Sequence, residues 1–321
     1  FKGCAFKNAH GQKNLLSFLA LPIRENNNTL CRSRAAEWRF FMDAKRIKEL
    51  SIAATNVRKH IIEGVYNAKS GHPGGSLSIT DVLVTLYFEC MNIDPTNPQN
   101  PDRDRFVLSK GHCAPALYGT LAERGFFDAA QICNLRKIGH FLQGHPDMKS
   151  VPGVDMSTGS LGQGVSAANG MALMGKLCKK DYRVYTATGD GELEEGQVWE
   201  AAMFAAHYKL DNLTLFVDNN GLQIDGDITK VMNPMPIGEK YAAFGWHVIE
   251  IDGHDYSAIA NAVEEAKSVT GKPTCVVCRT VKGKGVSFME NNAGWHGSAP
   301  KIDEYESAMA ELNAKLKELE D

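Results

Sequence analysis

The sequence contains no apolar run that approaches the roughly 18 residues needed to span a bilayer. Its 321 residues carry a formal net charge of only −3, unlike the strongly basic surfaces that bind nucleic acid or anionic membranes. Internal repeats and low-complexity segments are also missing. We therefore expect neither a nucleic acid nor a membrane among the partners of this chain.

Cysteine is sparse, and only one pair has a spacing that can bind metal or cycle between thiol and disulfide. Eight cysteines are scattered along the chain, which is typical of a reduced, cytoplasmic protein. Cys275 and Cys278 have the spacing of half a zinc site, but no second such pair exists to complete it. They lie in the β-branched run TCVVCRTV, and alternate side chains of a strand point to opposite faces. We expect a buried strand here.

Residues 1–41 differ in composition from the rest of the chain. They carry seven Lys or Arg against two acids, together with an apolar patch at 15–21. This composition is compatible with a signal or transit peptide, but clear periodicity begins only after Met42. We favour an extraneous or disordered segment over 1–41, followed by one domain over 42–321.

From residue 43 onward, hydrophobic periodicity alternates between that of helices and that of strands. Apolar residues at three- and four-residue steps predict a helix over 43–68, and a capping pattern predicts that a second helix opens at Ser78. Near-continuous apolar runs predict buried strands at 104–109, 182–187, 213–217, 246–251 and 274–280. Further helices are predicted near 115–124, 196–208, 236–244, 256–269 and 302–319. The pattern predicts an α/β fold, a parallel sheet with helices on both faces, in which ligands bind at the carboxyl ends of the strands.

Two of the predicted strands end on side chains that carry oxygen. Asp190 follows one strand between Gly189 and Gly191, and Asn220 follows the next. The Asp190 carboxylate, the Asn220 amide oxygen and the backbone carbonyl of Leu222 are the hard ligands that Mg²⁺ prefers. The glycines let backbone N–H groups approach a phosphate, and the start of the following helix is expected to add positive charge. The sequence therefore predicts a site for a divalent cation and a phosphate.

These residues also belong to a longer series of motifs. A GDG turn, closed about thirty residues later by Asn-Asn, resembles the thiamine diphosphate motif. The motifs SGHPGG, DRFVLSKGHCAPALY, GHPD, STGSLGQG, GDGELEEG, DNNGLQIDG and WHGSAP occur in the order seen in the transketolase family. The chain resembles the diphosphate-binding (PP) domain of that family from Lys45 to Pro300. The resemblance implies thiamine diphosphate and Mg²⁺, or Ca²⁺ or Mn²⁺ in its place, as cofactors.

The resemblance also assigns roles to histidines that follow or precede glycine. It implies that His112 and His296 contact the cofactor diphosphate. It also implies that His72, His145 and His296 line the donor channel. There an imidazole, with a pKa near neutrality, suits binding of sugar hydroxyls and proton transfer.

Further roles fall on the glycine-rich turns. The resemblance implies that Gly159, Ser160 and Leu161 pack against the cofactor rings and that Gly191 contacts the diphosphate through its backbone. Glu195 is expected to lie at a subunit interface and meet the partner's catalytic carboxylate. Its alternative interpretation is a solvated residue in the first turn of a helix.

In the family that this chain resembles, the cofactor lies between two domains, and the chain matches one of them. The pyrimidine-binding (Pyr) domain carries the glutamate that activates the cofactor and basic residues for the substrate phosphate. We therefore expect the N-terminal subunit of a split transketolase, inactive without a C-terminal Pyr-domain subunit, in an α₂β₂ assembly. The expected reaction transfers a two-carbon ketol unit from a ketose phosphate to an aldose phosphate, in the pentose phosphate pathway. The alternatives are another thiamine-dependent ketol transferase, such as 1-deoxy-xylulose-5-phosphate synthase, and a non-catalytic scaffold subunit that binds thiamine diphosphate.

Overall fold

The computed structural model describes residues 42–321. The prediction of an extraneous or disordered segment over residues 1–41 falls outside this part of the chain and stays a prediction. None of the helices in the described part has both the length and the apolar character required to cross a membrane.

Five parallel strands form the central sheet. The strands of the chain are β1 Arg105–Leu108, β2 Val184–Gly189, β3 Leu213–Asn219, β4 Leu222–Gln223, β5 Gly226–Asp227, β6 His247–Asp252 and β7 Thr274–Arg279. The order in the large sheet is β1-β2-β3-β7-β6, and β4 and β5 form a small antiparallel hairpin. All five predicted strands are present and parallel. The predicted α/β fold is therefore confirmed.

Helices cover both faces of this sheet. They are α1 Ala44–Ala68, α2 Pro73–Thr85, α3 Ala114–Arg124, α4 Gln163–Leu177, α5 Gly196–His207, α6 Ile228–Val231, α7 Ile237–Ala243, α8 Tyr256–Ser268 and α9 Ile302–Glu320. One apolar core joins α1, α2, α3 and α8 to one sheet face, and α9 packs on α1. A second core joins α4, α5 and α7 to the other face.

The Cys275 and Cys278 pair lies in β7, as the sequence predicts. Cys275 is buried in the core under α4 and α5, whereas Cys278 is buried in the opposite core. Both are free thiols. The two sulfurs lie on opposite faces because side chains alternate along a strand, so the pair does not form half of a metal site.

The second helix begins five residues earlier than predicted. Helix α2 starts at Pro73, with His72 at its N-cap, and Ser78 lies inside it. Proline is well suited to the first helical position because its missing N–H has no partner there in any case. Gly74 and Gly75 lie in this first turn, where the helix packs closely against the rest of the chain. A Cβ added to Gly74 would lie 2.9 Å from the Trp295 carbonyl oxygen. The glycines therefore mark a close approach and do not end a helix.

Candidate active site at the carboxyl edge of the sheet

Asp190 follows β2 and is 2% exposed. Its carboxylate accepts hydrogen bonds from the backbone N–H groups of Gly191 (2.9 Å) and Gly221 (2.7 Å). Within residues 42–321, no Lys, Arg or His forms an ion pair with it. Burial and the nearby charge of Asp218 raise the pKa of Asp190 to about 6, although the two N–H donors act in the opposite direction. The fold thus holds a carboxylate whose negative charge is poorly compensated.

The other two predicted metal ligands lie in the turn that reaches Asp190. The Asn220 amide oxygen accepts a hydrogen bond from the N–H of Leu222 (3.2 Å). The Leu222 carbonyl accepts one from the Lys282 ammonium (3.1 Å). Gly221, between them, is the residue whose N–H binds Asp190. In the described part of the chain, no group of three or more His, Cys, Asp or Glu side chains is arranged to hold a metal. The local ligands are therefore one carboxylate and neutral oxygens.

Three of the predicted histidines come together beside this turn. His72 precedes α2, His112 follows β1, and His296 lies in the loop before α9. Their ring centroids are 5.1 to 5.4 Å apart in each pairing. Burial, reinforced by surrounding positive charge, lowers the pKa of His72 and His112 to about 4 and that of His296 to about 3. All three rings are neutral at physiological pH, and the buried Nδ1 of His72 has no hydrogen-bond partner among residues 42–321.

The His145 ring lies against Gly159 of the glycine-rich turn. The backbone of Gly159 has φ +155°, and a Cβ added there would lie 3.0 Å from the His145 ring. The Tyr118 hydroxyl donates to the His145 carbonyl (2.9 Å). Burial, followed by the charges of Arg136 and His112, lowers the pKa of His145. In the same turn Ser160 is exposed and Leu161 is half-buried.

Glu192, which is not among the predicted site residues, connects three of the predicted motifs. Its buried carboxylate accepts hydrogen bonds from the Ser109 hydroxyl (2.5 Å), the Gly162 N–H (2.8 Å) and the Gly189 N–H (3.2 Å). Burial raises its pKa, and these donors partly offset the effect. Glu192 thereby aligns the end of β1, the GDG turn and the glycine-rich turn. The sequence signal was weak because its neighbours Glu194 and Glu195 look the same but are exposed.

Two lysines were also missed. The Lys282 ammonium lies 3.1 Å from Nδ1 of His296 and also donates a hydrogen bond to the Leu222 carbonyl. Burial lowers the pKa of Lys282. Lys110 is buried and forms an ion pair with Asp218, the last residue but one of β3. Each follows a strand at its carboxyl end, as Asp190 does. A position just after a strand was therefore the sequence signal for these two lysines. It is overlooked when only oxygen ligands are considered at the strand ends.

The helix predicted near 196–208 is present as α5, but it does not begin directly at the GDG turn. A short 3-10 turn, Gly191–Glu194, follows Asp190, and α5 begins only at Gly196. The positive end of a helix macrodipole acts within about one turn, and α5 begins six residues after Asp190 along the chain. Glu195 is the exposed N-cap of α5, with no capping hydrogen bond from its side chain. Its role at a subunit interface stays a prediction.

Comparisons with known proteins give the family. The family model for the transketolase thiamine diphosphate binding domain matches residues 50–318. A 6-deoxy-6-sulfo-D-fructose transketolase subunit from a Clostridium species is 48% identical over 265 residues, covering 82% of this chain and 96% of that protein. One of the apulose-4-phosphate transketolase subunits of Phocaeicola vulgatus is 42% identical, with coverage of 86% and 98%. Human transketolase is also 42% identical, but this chain spans only 44% of its length.

Solved structures agree with this result. The transketolase of Campylobacter jejuni superposes with a TM-score of 0.78 at 31% identity, covering 87% of this chain and 46% of that one. That of Leishmania mexicana gives 0.75 at 29% identity, covering 84% and 45%. The family, the fold and the enzyme class predicted from the sequence are confirmed. This chain belongs to the transketolase family of ketol-transferring enzymes, in which it corresponds to the N-terminal, thiamine diphosphate-binding part.

Proposed function

We propose that this chain is the N-terminal subunit of a transketolase that depends on thiamine diphosphate and Mg²⁺ and transfers a two-carbon ketol unit from a ketose phosphate to an aldose phosphate. The observation that carries this proposal is the buried Asp190 carboxylate, which forms no ion pair among residues 42–321 and is bound by the turn at Gly221. The carbonyl of Leu222, in the same turn, accepts from Lys282, which lies 3.1 Å from His296. A buried charge is costly unless it is paired or binds a metal.

The residues present fit a divalent cation. Asp190, the Asn220 amide oxygen and the Leu222 carbonyl would supply three oxygen ligands, and Mg²⁺ takes its remaining ligands from phosphate and water. A cation there would compensate the charge of Asp190, whose pKa is raised by burial and by the charge of Asp218. Ca²⁺ or Mn²⁺, which also take oxygen ligands, would satisfy the same set.

The residues also fit an anionic diphosphate. Lys282 supplies an ammonium group, and His112 and His296 supply N–H donors from rings that are neutral at physiological pH. The unpartnered Nδ1 of His72 is a further buried polar atom that requires a partner. We propose that His112, His296, Lys282 and the Gly191 backbone hold the diphosphate, and that Gly159, Ser160 and Leu161 border the cofactor rings.

Thiamine diphosphate, when bound, supplies the electron sink that allows the bond beside the ketose carbonyl to break. We propose that His72, His145 and His296 then bind substrate hydroxyls and accept or return protons. A neutral imidazole can do both, since one ring nitrogen donates and the other accepts. The lowered pKa values of His72 and His296, about 4 and about 3, keep these two rings unprotonated before substrate arrives.

We further propose that activity requires a C-terminal subunit with a Pyr domain, in an α₂β₂ assembly. Two relatives of nearly the same length as the matched region are named as transketolase subunits, one for a sulfo-sugar and one for a sugar phosphate. The exposed Glu195 is available to meet a carboxylate of such a partner. A role in the pentose phosphate pathway, a cytoplasmic location and a single domain over 42–321 also stay proposals.

Two measurements test this function. Mg²⁺ together with thiamine diphosphate should raise the melting temperature of the full chain, and Asp190→Asn should abolish the increase, whereas Asp94→Asn, at an exposed loop carboxylate, should retain it. Adding a candidate Pyr-domain subunit should then produce ketol transfer. Ketol transfer by the purified chain alone would refute the need for a partner. Cofactor binding without turnover in any assembled complex would favour the scaffold alternative.

A further inference from the structure

Asp81 is a buried carboxylate of α2 that the proposed reaction does not use. One of its oxygens accepts a hydrogen bond from Arg58 of α1 (2.7 Å) and lies 2.7 Å from Nδ1 of His254. The Tyr256 hydroxyl, at the start of α8, donates to the other oxygen (3.1 Å). Burial acts to raise its pKa, but the charge of Arg58 and the hydrogen bond from His254 outweigh burial and lower the pKa of Asp81 to about 2. Asp81 is therefore ionised at neutral pH and only accepts hydrogen bonds.

The contacts on the two sides of the His254 ring fix which nitrogen carries its proton. The ring belongs to the turn between β6 and α8 and is largely buried. Nδ1 faces the ionised Asp81 and must donate, because a carboxylate has no proton to give. Nε2 then accepts, and the backbone N–H of Val281 donates to it (2.9 Å). His254 thus links a fixed carboxylate to one backbone N–H of the segment that follows β7.

That N–H lies directly before Lys282, whose ammonium is proposed to hold the diphosphate. Strand β7 ends at Arg279, so Lys282 lies on a loop beyond the sheet. Its ammonium donates to the Leu222 carbonyl (3.1 Å) and lies 3.1 Å from Nδ1 of His296. A lysine carries its charge on a flexible four-carbon stem. The place of the ammonium therefore depends on how firmly the neighbouring backbone, at Val281, is held.

Arg58 holds the other end of the same turn. Its Nε donates to the Lys284 carbonyl (3.0 Å), and a Cβ added to Gly285 would lie 2.9 Å from its Cδ. The Lys284 N–H in turn donates to the Val281 carbonyl (3.2 Å). Arg58 also binds Asp81. The turn from Val281 to Lys284 is therefore held at both ends by side chains that bind one carboxylate.

We propose that His254 is a positioning residue for the cofactor: it holds the Val281 backbone and thereby places the Lys282 ammonium on the diphosphate. This role rests on the proposed function and adds a residue that touches neither cofactor nor substrate. Asp81 takes part because it fixes the tautomer. With the proton on Nε2, two N–H groups would face each other and the contact with Val281 would be lost.

Two substitutions separate the two sides of the ring. His254→Asn keeps an amide donor near Asp81 but removes the acceptor for Val281, whereas His254→Gln can place an amide oxygen where Nε2 accepts. In calorimetric titrations of the full chain with thiamine diphosphate and Mg²⁺, His254→Asn should weaken binding by about 10- to 100-fold, as losses of such orienting partners do. His254→Gln should weaken it by less than about threefold, because the acceptor is kept. Wild-type affinity in His254→Asn would overturn the proposal.

A double-variant cycle decides whether His254 acts through Lys282. Lys282→Met alone should weaken binding of the same cofactor by about 10- to 100-fold, because a charge-assisted contact is lost. Adding His254→Asn to Lys282→Met should cost less than about a further twofold, since no ammonium remains to be misplaced. Losses that multiply in the double variant would show that His254 acts elsewhere, and would overturn the proposal.

The matched control is His247→Asn. The His247 ring also contacts a carboxylate, that of Glu265 at 2.7 Å, but this pair lies at the start of β6 and is more exposed. The variant should bind thiamine diphosphate as the wild type does. A loss equal to that of His254→Asn would show that any histidine–carboxylate contact on this side of the fold has the same effect, and would overturn the proposal.

A further readout needs no cofactor. By amide hydrogen exchange, the Val281 N–H of the cofactor-free chain should be protected in the wild type and in His254→Gln, and should exchange at least about tenfold faster in His254→Asn. Equal exchange in all three would refute the contact. A wild-type chain with this protection that binds no thiamine diphosphate would instead refute the proposed function.

Discussion

Asp190 and Asp218 end neighbouring strands of one sheet, and both are almost fully buried. Asp218 receives hydrogen bonds from the Lys110 ammonium and from the hydroxyls of Ser78 and Thr280. Burial would raise its pKa, but the charge of Lys110 and these donors outweigh burial and lower it. Asp190 accepts hydrogen bonds only from backbone donors. Burial and the charge of Asp218 outweigh these donors and the attraction of Lys110, and they raise the pKa of Asp190 to about 6. The two carboxylates therefore differ in what compensates them.

The difference separates a structural carboxylate from one available to a ligand. Asp218 is already paired with the Lys110 ammonium. Through Lys110 and Ser78 it connects β3 to the end of β1 and to α2. Asp190 is positioned by Gly191 and Gly221 but is not neutralised. A carboxylate in this state gains most from a bound cation, because pairing removes the cost of burying its charge. The following predictions test this distinction.

The largest effect is expected for Lys110→Met, which leaves Asp218 buried without a cation. Removing one partner of a buried ion pair costs about 3–5 kcal/mol, and urea denaturation of the cofactor-free chain should show a loss of that order. The double variant Lys110→Met/Asp218→Asn should recover most of it. The control Lys180→Met breaks an exposed ion pair with Asp102 and should hardly move the midpoint. Similar small effects of both single variants would contradict the structural role of Lys110.

Asp190→Asn should have the opposite effect and increase the stability of the metal-free chain. At neutral pH the metal-free chain carries an ionised Asp190 that its surroundings disfavour. A neutral side chain removes that cost, although asparagine keeps an acceptor for only one of the two backbone N–H groups. The upward shift of its pKa corresponds to an increase in the free energy of unfolding of about 1–3 kcal/mol at pH 7. Asp218→Asn should lower the same quantity in the same denaturation experiment. If both variants lose stability equally, the two carboxylates do not differ as described.

The pH dependence of the metal-free chain follows from the same shift. Asp190 binds its proton more tightly in the folded state, with a pKa of about 6 against an ordinary 3.8. Its contribution to stability is therefore fully present below pH 3.8 and is lost as the pH rises through about 6. Asp190→Asn should flatten this part of the curve by up to about 1.4 kcal/mol per pH unit. The curve of Asp94→Asn should retain the wild-type slope here, and an unchanged slope in Asp190→Asn would exclude Asp190 as its source.

The smallest effect is expected for Ser78→Ala. Its hydroxyl binds Asp218 and the Gly75 carbonyl, but Asp218 keeps Lys110 and Thr280. A single hydrogen bond to a partly satisfied group contributes about 1 kcal/mol, to be measured by the same unfolding experiment. A loss as large as that of Lys110→Met would show that the hydroxyl, and not the ammonium, holds Asp218.

The strands and most helices could be predicted because their patterns are local. The start of α2 could not, since two adjacent glycines normally indicate a turn, whereas Gly74 and Gly75 lie where a Cβ would be 2.9 Å from the Trp295 carbonyl oxygen and from the Cys113 sulfur, respectively. Of the candidate site, the sequence indicated Asp190, Asn220 and the histidines, which stand in distinctive glycine contexts. It did not indicate Glu192 or Lys282, because each resembles an ordinary exposed charge until its neighbours are known.

The sequence by itself determined the alternation of strands and helices, and hence the edge of the sheet at which the site lies. It also determined the family, through motifs that are each short and contiguous. Only the tertiary structure decided which aspartate is compensated. Asp218 binds Lys110 and Ser78 across 108 and 140 residues of chain, whereas Asp190 forms no ion pair in the described part. Burial and ion pairing depend on contacts between residues that are far apart in the sequence, and these contacts set the electrostatics of the site.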